Sequence, residues 1–428
     1  MSVGLIFSVA LAFSAGATQS IDVEPVWSGH PVGFSLLTHG NHQFVAYYDA
    51  ERRMKVASRE LGAPEWEFVE LPEKLGWDSH NYVTMAVDDD GHLHLSGNMH
   101  VKPLMYFRTT RPLDITSFER AGMVGEKEDR MTYPKFFRGP GNALVYTYRD
   151  GSSGKGDQIY NVYDCASKQW RRLIDAPLLS GEGKMNAYLN GPVKGPDGRF
   201  HLCWVWRDTP DCETNHDPGY AVSTDFVRWE TAAGKPLELP ITLEKAGVVD
   251  AVPPGGGIIN GNVKLGFDSQ NRPVVSYHKY DAAGNTQIYN ARFENGAWKI
   301  VQATNWDYRW EFSGRGSIGF ELGIGGVSPC GGGRLKQTCR QKDWGRAELL
   351  LDEDSLELIQ EQRQAGGGPK AAGKVKTGLQ KKQAGDLGHA PAGVSYHLEW
   401  ETLPANRDRA RDGEPPKPSM LRMVKEGP

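Results

Sequence analysis

With 428 residues, 39% hydrophobic, 10% aromatic and 24% charged, the chain has an ordinary globular composition and enough length for a large core or two domains. Its formal net charge of -4 excludes a global basic field for nucleic acid, so any anion binding has to be local. The 51 Gly, 26 Pro and 12 Trp point to a turn-rich, all-β protein.

The chain opens with an apolar run, Val3 to Phe13, followed by Ala15-Gly16-Ala17, a small-x-small cleavage pattern without a basic n-region. This pattern predicts export, to the periplasm or the medium, with residues 1–20 as a leader and 21–428 as one domain. A buried first strand is the alternative reading of the same run. No later apolar run reaches the length of a membrane span, and none is expected.

From Val32 onward one pattern recurs six times. An apolar strand leads into a turn holding Gly or Asn, as in HGN, DDDG, GPGN, PDG, DSQN and GGG. A second strand follows: HQFVAYYDA (42–50), HLHLSGNMH (92–100), NALVYTYRD (142–150), RFHLCWVWRD (199–208), RPVVSYHKYD (272–281) and RLKQTCRQ (334–341). A third comes next, and a fourth begins near Trp66, Phe118, Trp170, Trp229, Trp298 or Leu358. Serial four-stranded units are the signature of a β-propeller. The strand-like ends, IDVEPVWSG with YHLEWETLP and SMLRMVKEG, belong to no complete unit and together supply a seventh blade that closes the ring. Seven blades is therefore the expectation, with six as the alternative.

Three further stretches add little chemistry. Residues 360–388, rich in Gly, Lys and Gln, read as a flexible polar insertion. STDFVRW (223–229) resembles an Asp-box, a marker of fold and not of catalysis. The five cysteines form no framework and no zinc spacing; Cys330 with Cys339, and less so Cys203 with Cys212, are pairs to weigh against free thiols.

The stretch Trp77 to Val101 carries the functional signal. It reads as a hairpin with His80 where the first strand begins and His100 where the second ends, so both sit at one rim. The same rim positions in later units give Asn81, Tyr133, Tyr188 with Asn190, and Asn260 with Asn262 at strand starts. Strand ends and the loops after them give Arg149, Arg207, His278 with Lys279, and His216. Each has a plainer reading as a cap, an ion pair or a packed ring, Arg149-Asp150 and Arg207-Asp208 included; His92 and His94 alternate within a strand and read as structural. Convergence of four units on one mouth favours a cationic cleft for an anionic ligand.

No carboxylate pair for glycoside hydrolysis and no GxSxG nucleophile stands out. Imidazole, phenol and guanidinium suit β-elimination on a uronate. A base takes the C5 proton, which is acidic only when the neighbouring carboxylate is neutralised, and the bond from C4 to the glycosidic oxygen breaks. Arg149 is the natural neutraliser, able to grip a carboxylate with two bonds.

WDSHNY with NMH, then MTYPKF, YRDGSSGKG, NAYLNG, WVWRDTPDCETNHD, YHKYD and TNWDYRWEFSGRG, together resemble the BNR-4 repeat family, and within it the ulvan lyases. The resemblance runs from about Pro31 to Ser419 and implies a seven-bladed propeller that cleaves a sulfated rhamnose polymer next to a uronate. It implies His80, His100, Tyr133 and Arg149 as catalytic, with His80 as base, Tyr133 as acid, and Arg149 with His100 as neutralisers; the first two roles are interchangeable. Asn81, Tyr188, Arg207, His216 and His278 are expected to bind substrate, with Tyr188 and Arg207 rivals for the Tyr and Arg roles. No cofactor is needed for the chemistry. A structural metal ion fits the resemblance, although no ligand set stands out. The expected partner is an anionic polysaccharide, and a monomer is expected. Competing readings are a sialidase- or rhamnosidase-type hydrolase, for which Asp150 and Asp208 are the acids to test, and a non-catalytic glycan-binding propeller.

Overall fold

The computed structural model describes residues 18–364 and 378–427. The expected leader therefore lies almost wholly outside the described residues, as do residues 365–377 of the Gly-rich stretch. The described residues form strands and turns, with three single-turn 3-10 segments, Ile115–Ser117, Pro140–Asn142 and Cys212–Thr214. Among them no helix is long and apolar enough to cross a membrane.

The strands pair into seven antiparallel sheets. Sheet I holds Ser35–His39, His42–Tyr48, Arg53–Glu60 and Glu67–Lys74; sheet II holds Val83–Val87, Leu93–Gly97, Tyr106–Thr109 and Phe118–Arg120. Sheet III holds Met131–Arg138, Leu144–Ser152, Lys155–Asp164 and Gln169–Arg172; sheet IV holds Asn186–Lys194, Phe200–Arg207, Asn215–Ser223 and Trp229–Glu230. Sheet V holds Lys264–Phe267, Pro273–Tyr280, Thr286–Glu294 and Ala297–Gln302; sheet VI holds Leu322–Pro329, Arg334–Gln341, Gly345–Asp352 and Leu358–Arg363. Sheet VII joins the two ends of the chain, in the order Gln19–Val26, Ser419–Glu426, Ser395–Thr402, Gln380–Gly385.

Local chemistry explains why these hairpins form where they do. Asp88 Oδ1 accepts from the backbone N–H of Asp90 and His92, and Asp268 Oδ1 accepts in the same way from Gln270 and Arg272. This self-bonded turn biases the chain to reverse at that point. The chain then reverses through a left-handed residue, Gly91 (φ +85) or Asn271 (φ +65).

Neighbouring sheets pack through their first strands, Ser35–His39 on Val83–Val87, Val83–Val87 on Met131–Arg138, and Lys264–Phe267 on Leu322–Pro329. The burial pattern follows: Phe200–Arg207 of sheet IV is buried at every position, whereas Arg334–Gln341 of sheet VI alternates exposed and buried. Sheet IV is thus covered on both faces and sheet VI on one. One apolar cluster runs from Leu398 and Leu421 of sheet VII through Phe44 and Leu95 to Tyr146 of sheet III.

Three expectations need correction, and one open alternative is decided. The stretch 360–388 is not simply a loop, because its ends complete two sheets as Leu358–Arg363 and Gln380–Gly385; hydrogen-bonding to a neighbour sustains strands that polar side chains do not announce. Two sheets exceed four strands: III gains His100–Lys102 and Leu179–Ser180, and IV gains Pro236–Leu237. His100 does not end the second strand of its hairpin. That strand stops at Gly97, Asn98 turns through φ +54, and His100–Lys102 crosses to pair with sheet III. All five cysteines are free: Cys330 bonds at the turn opposite Arg334, while Cys339 pairs with Ile324 further along the hairpin.

Candidate active site

The crossover strand is what assembles the site. It sets His100 beside His80, with ring centroids 4.4 Å apart. Asp78, two residues before His80, holds both rings: Oδ1 meets His80 Nδ1 at 2.7 Å and Oδ2 meets His100 Nδ1 at 2.5 Å. Burial pushes the Asp78 carboxyl up, but the hydrogen bonds from His100 and His80 outweigh it and hold the group far below the usual carboxylate range. An ionised Asp78 accepts from each Nδ1–H, which fixes the tautomer and leaves both Nε2 atoms as free acceptors. Asp78 was not read from the sequence, although WDSH carries it at a spacing that a turn closes.

Tyr133 faces the imidazole pair, its ring 5.6 Å from that of His80 and 6.1 Å from that of His100. It sits where the register of Met131–Arg138 shifts between Thr132 and Lys135, at φ +58. A bulge of this kind re-aims a side chain, and a tyrosine in left-handed backbone is held there by its surroundings. Burial raises the Tyr133 phenol well above its ordinary value, so it keeps its proton.

Arg149 lies between two phenol rings, its Cζ 4.9 Å from the centre of Tyr133 and 5.4 Å from that of Tyr188. Its Nε donates to Gly151 O at 3.2 Å, yet both terminal nitrogens are buried with no hydrogen-bond partner. Arg207 is different. Its Nε donates to the carbonyls of Thr209 and Asp211, and its terminal nitrogens reach Pro210 O, Asn260 Oδ1 and the Tyr188 hydroxyl. For Tyr188, burial pushes the phenol up, but Arg149 and Arg207, with a hydrogen bond to Ser153, outweigh it and lower it. Two tyrosines 6.1 Å apart are therefore driven in opposite directions.

These side chains line two adjoining cavities of about 350 and 500 Å³. Among the described residues no Asp or Glu lines either one. Asp150 stands 3.6 Å from Arg130, and Asp208 bonds His216 at 3.0 Å, so neither forms the ion pair with its sequence neighbour nor reaches the cavities.

Three expected substrate-binding residues are not presented to these cavities. Asn81 is buried behind His80, beneath the Tyr48 hydroxyl that bonds its carbonyl. His216 is buried with both ring nitrogens engaged, by Asp208 and Asp217 at 3.0 Å each. His278 is wholly buried beside Trp310, ring centroids 5.4 Å apart. The reason is common to all three: the end of a strand reaches the rim, but side-chain alternation and inter-sheet packing decide which ends point into it.

Burial lowers the pKa of His278 to about 4. Its folded value lies below the unfolded one, so the unfolded chain takes up a proton first as pH falls. The neutral ring thus contributes stability that is complete above about pH 6.5 and lost towards pH 4, about 3 kcal/mol in all. Urea midpoints measured between pH 7.5 and 4 should fall more steeply for the parent than for His278→Phe; equal slopes would contradict this.

Asp78, His80 and His100 also offer ligand-type atoms within 4.8 Å of one another. Ligands sharing a tetrahedral ion stand roughly 3.3 Å apart. The 2.5 and 2.7 Å contacts are shorter than that and fit shared protons, not a metal.

Known proteins resemble the chain in sequence and in fold. The family model BNR_4, described as a BNR repeat-containing family member, matches residues 42–306, more than half of the chain. An ulvan lyase, long isoform, of Alteromonas sp. is 26% identical over 139 residues, 30% of this chain and 14% of that protein. Another, of Alteromonas sp. (strain LOR), is 22% identical over 269 residues, 49% of this chain and 27% of that protein. The matches thus span about a quarter or less of those relatives' length. The crystal structure of the polysaccharide lyase Uly1 superposes with a TM-score of 0.63 at 13% identity, covering 97% of this chain and 100% of that one. A PL25 ulvan lyase bound to -[GlcA(1-4)Rha3S]- gives a TM-score of 0.57 at 13% identity, covering 96% of each chain. On the family match, carried by the repeated hairpins that build the imidazole, phenol and guanidinium cluster, the chain belongs to the BNR repeat-containing family.

Proposed function

We propose that this chain is a polysaccharide lyase that cleaves an anionic, ulvan-like polysaccharide next to a uronate by β-elimination. The observation that carries the proposal is Arg149, whose two terminal nitrogens are buried without a partner between Tyr133 and Tyr188. An unpaired buried donor costs about 1–3 kcal/mol, and more when charged. A carboxylate placed there accepts two parallel N–H bonds and removes that cost.

With its carboxylate neutralised by Arg149, a uronate becomes acidic at C5. His80 Nε2, freed by the bond of Nδ1 to Asp78, takes that proton. The electron pair forms the C4–C5 double bond as the C4–O bond breaks, and Tyr133, kept protonated by burial, gives its proton to the leaving oxygen. Tyr188 and Arg207 hold the neighbouring sugar. The carboxylate-free cavity lining favours elimination over a hydrolase working through Asp150 or Asp208. The chemistry asks for no resident cofactor.

The seven sheets, packed in series with both chain ends paired in sheet VII, support a closed seven-bladed propeller. Export, as a monomer, under a leader that ends ahead of the sheet VII strand Gln19–Val26 completes the reading.

Near-ultraviolet absorbance tests it. Purified protein is incubated with ulvan and a panel of uronate polysaccharides, because elimination makes a conjugated C4–C5 double bond and hydrolysis makes none. A rise on a uronate polymer supports the lyase. New reducing ends without a rise mean hydrolysis, and binding without either means a recognition surface.

A further inference from the structure

The first of the two cavities is lined also by residues 315–318 and by Phe320, in the connection between sheets V and VI. One carboxylate ties this wall to the segment carrying His80. Asp408 belongs to the loop between Ser395–Thr402 and Ser419–Glu426 of sheet VII. It accepts from Ser79 N at 3.2 Å and Ser79 Oγ at 2.5 Å. It also accepts from Ser317 N at 2.9 Å and Ser317 Oγ at 3.0 Å. Its Oδ2 stands 3.5 Å from His80 Nδ1, and the two serine hydroxyls meet at 2.8 Å.

The backbone around Asp408 is built for this contact. Arg407 (φ +54) and Asp408 (φ +58) are consecutive left-handed residues, a conformation kept only where the surroundings fix it. Arg407 Nη1 donates to the carbonyls of Ser313 at 3.0 Å and Arg315 at 3.1 Å. Gly316 permits the approach, since a Cβ there would stand 2.7 Å from Arg407 O. Ser79 immediately precedes His80, and Asp78 holds the ring beyond it. The backbone from which His80 projects is therefore fixed by Asp408, and its ring by Asp78.

We infer that Asp408 is a positioning residue, which sets the seat of His80 and the 315–320 wall together, so that the site is complete only with the sheet VII loop docked. The inference rests on the lyase reading for its activity readout alone. Asp408 touches no substrate in this account; it acts through Ser79 and Ser317.

The test uses the full chain with Asp408→Ala and Asp408→Asn. Steady-state kinetics on a uronate polysaccharide are combined with side-chain 15N spectra of histidine-labelled protein without substrate. For Asp408→Ala, kcat should fall about 10- to 100-fold, with KM within about threefold. The His80 ring 15N resonances should move. Asp408→Asn, which keeps an acceptor for the serines, should recover part of kcat, and it decides the matter if the Ala variant does not fold. Parental kcat in both variants, or unmoved His80 resonances, overturns the inference. If the parent itself makes no unsaturated product, the lyase reading fails, and the 15N spectra alone decide on Asp408.

Discussion

Replacing Arg149 by Met lowers kcat/KM on a uronate polysaccharide by about 100- to 1000-fold and leaves the thermal midpoint unchanged or raises it. Both halves follow from one fact, that the terminal nitrogens of Arg149 are buried and unpaired in the resting protein. A methionine of similar reach removes the unsatisfied donors, worth about 1–3 kcal/mol of stability, and takes away the group proposed to neutralise the substrate carboxylate. Activity and stability at this site oppose each other, as they do where a group is held ready for a ligand. Arg149→Lys restores a charge without the planar fork and should recover only a minor part of the rate. The measurement is a pair, initial rates by near-ultraviolet absorbance and melting by calorimetry. Full activity in Arg149→Met would remove this residue from the mechanism. A large loss of stability would mean that the guanidinium serves the fold instead.

Removing the imidazole of His80 is expected to lower kcat by about 100- to 10,000-fold, the range for loss of a general base. His80 is part of a pair with Asp78 in common, so His80→Ala leaves His100 and its own Asp78 bond in place, and the cavity need not collapse. Added imidazole should restore part of the rate if the deleted group carries a proton. Tyr133→Phe separates the two roles. If His80 is the base, Tyr133→Phe still exchanges the C5 hydrogen with deuterated solvent while cleavage stops. Exchange that survives in His80→Ala and vanishes in Tyr133→Phe would invert the assignment. The geometry favours the first outcome, because burial keeps the Tyr133 phenol protonated while Asp78 leaves His80 Nε2 free to accept.

Much of this site lay open in the chain itself. His80, Tyr133 and Arg149 occupy matching rim places in consecutive hairpins, and a repeat sends such places to one rim, whereas His100 arrives there on the crossover strand His100–Lys102. The rivalry of Arg149 with Arg207, and of Tyr133 with Tyr188, was not legible in that way. It turns on which guanidinium spends its donors on its own loop carbonyls, as Arg207 does, and on which phenol lies between two arginines, as Tyr188 does. His216 and His278 share the residue type and expected rim position of His80 and His100, yet fold inward, because packing between sheets outweighs a strand-end location.

The all-β class, the serial hairpins and the pairing of the two chain ends were written in the residues themselves, whereas the crossover that seats His100 beside His80 was not. The first three depend on local rules: period-two patterning, Gly and Asn at turns, and a repeat that copies position. Docking of distant segments is what makes Gln380–Gly385 a strand, lets Asp78 hold both imidazoles, and brings Asp408 to Ser79 across 329 positions of chain. These contacts depend on how separate loops dock and on left-handed backbone at Tyr133, Arg407 and Asp408, for which no local pattern of side chains exists.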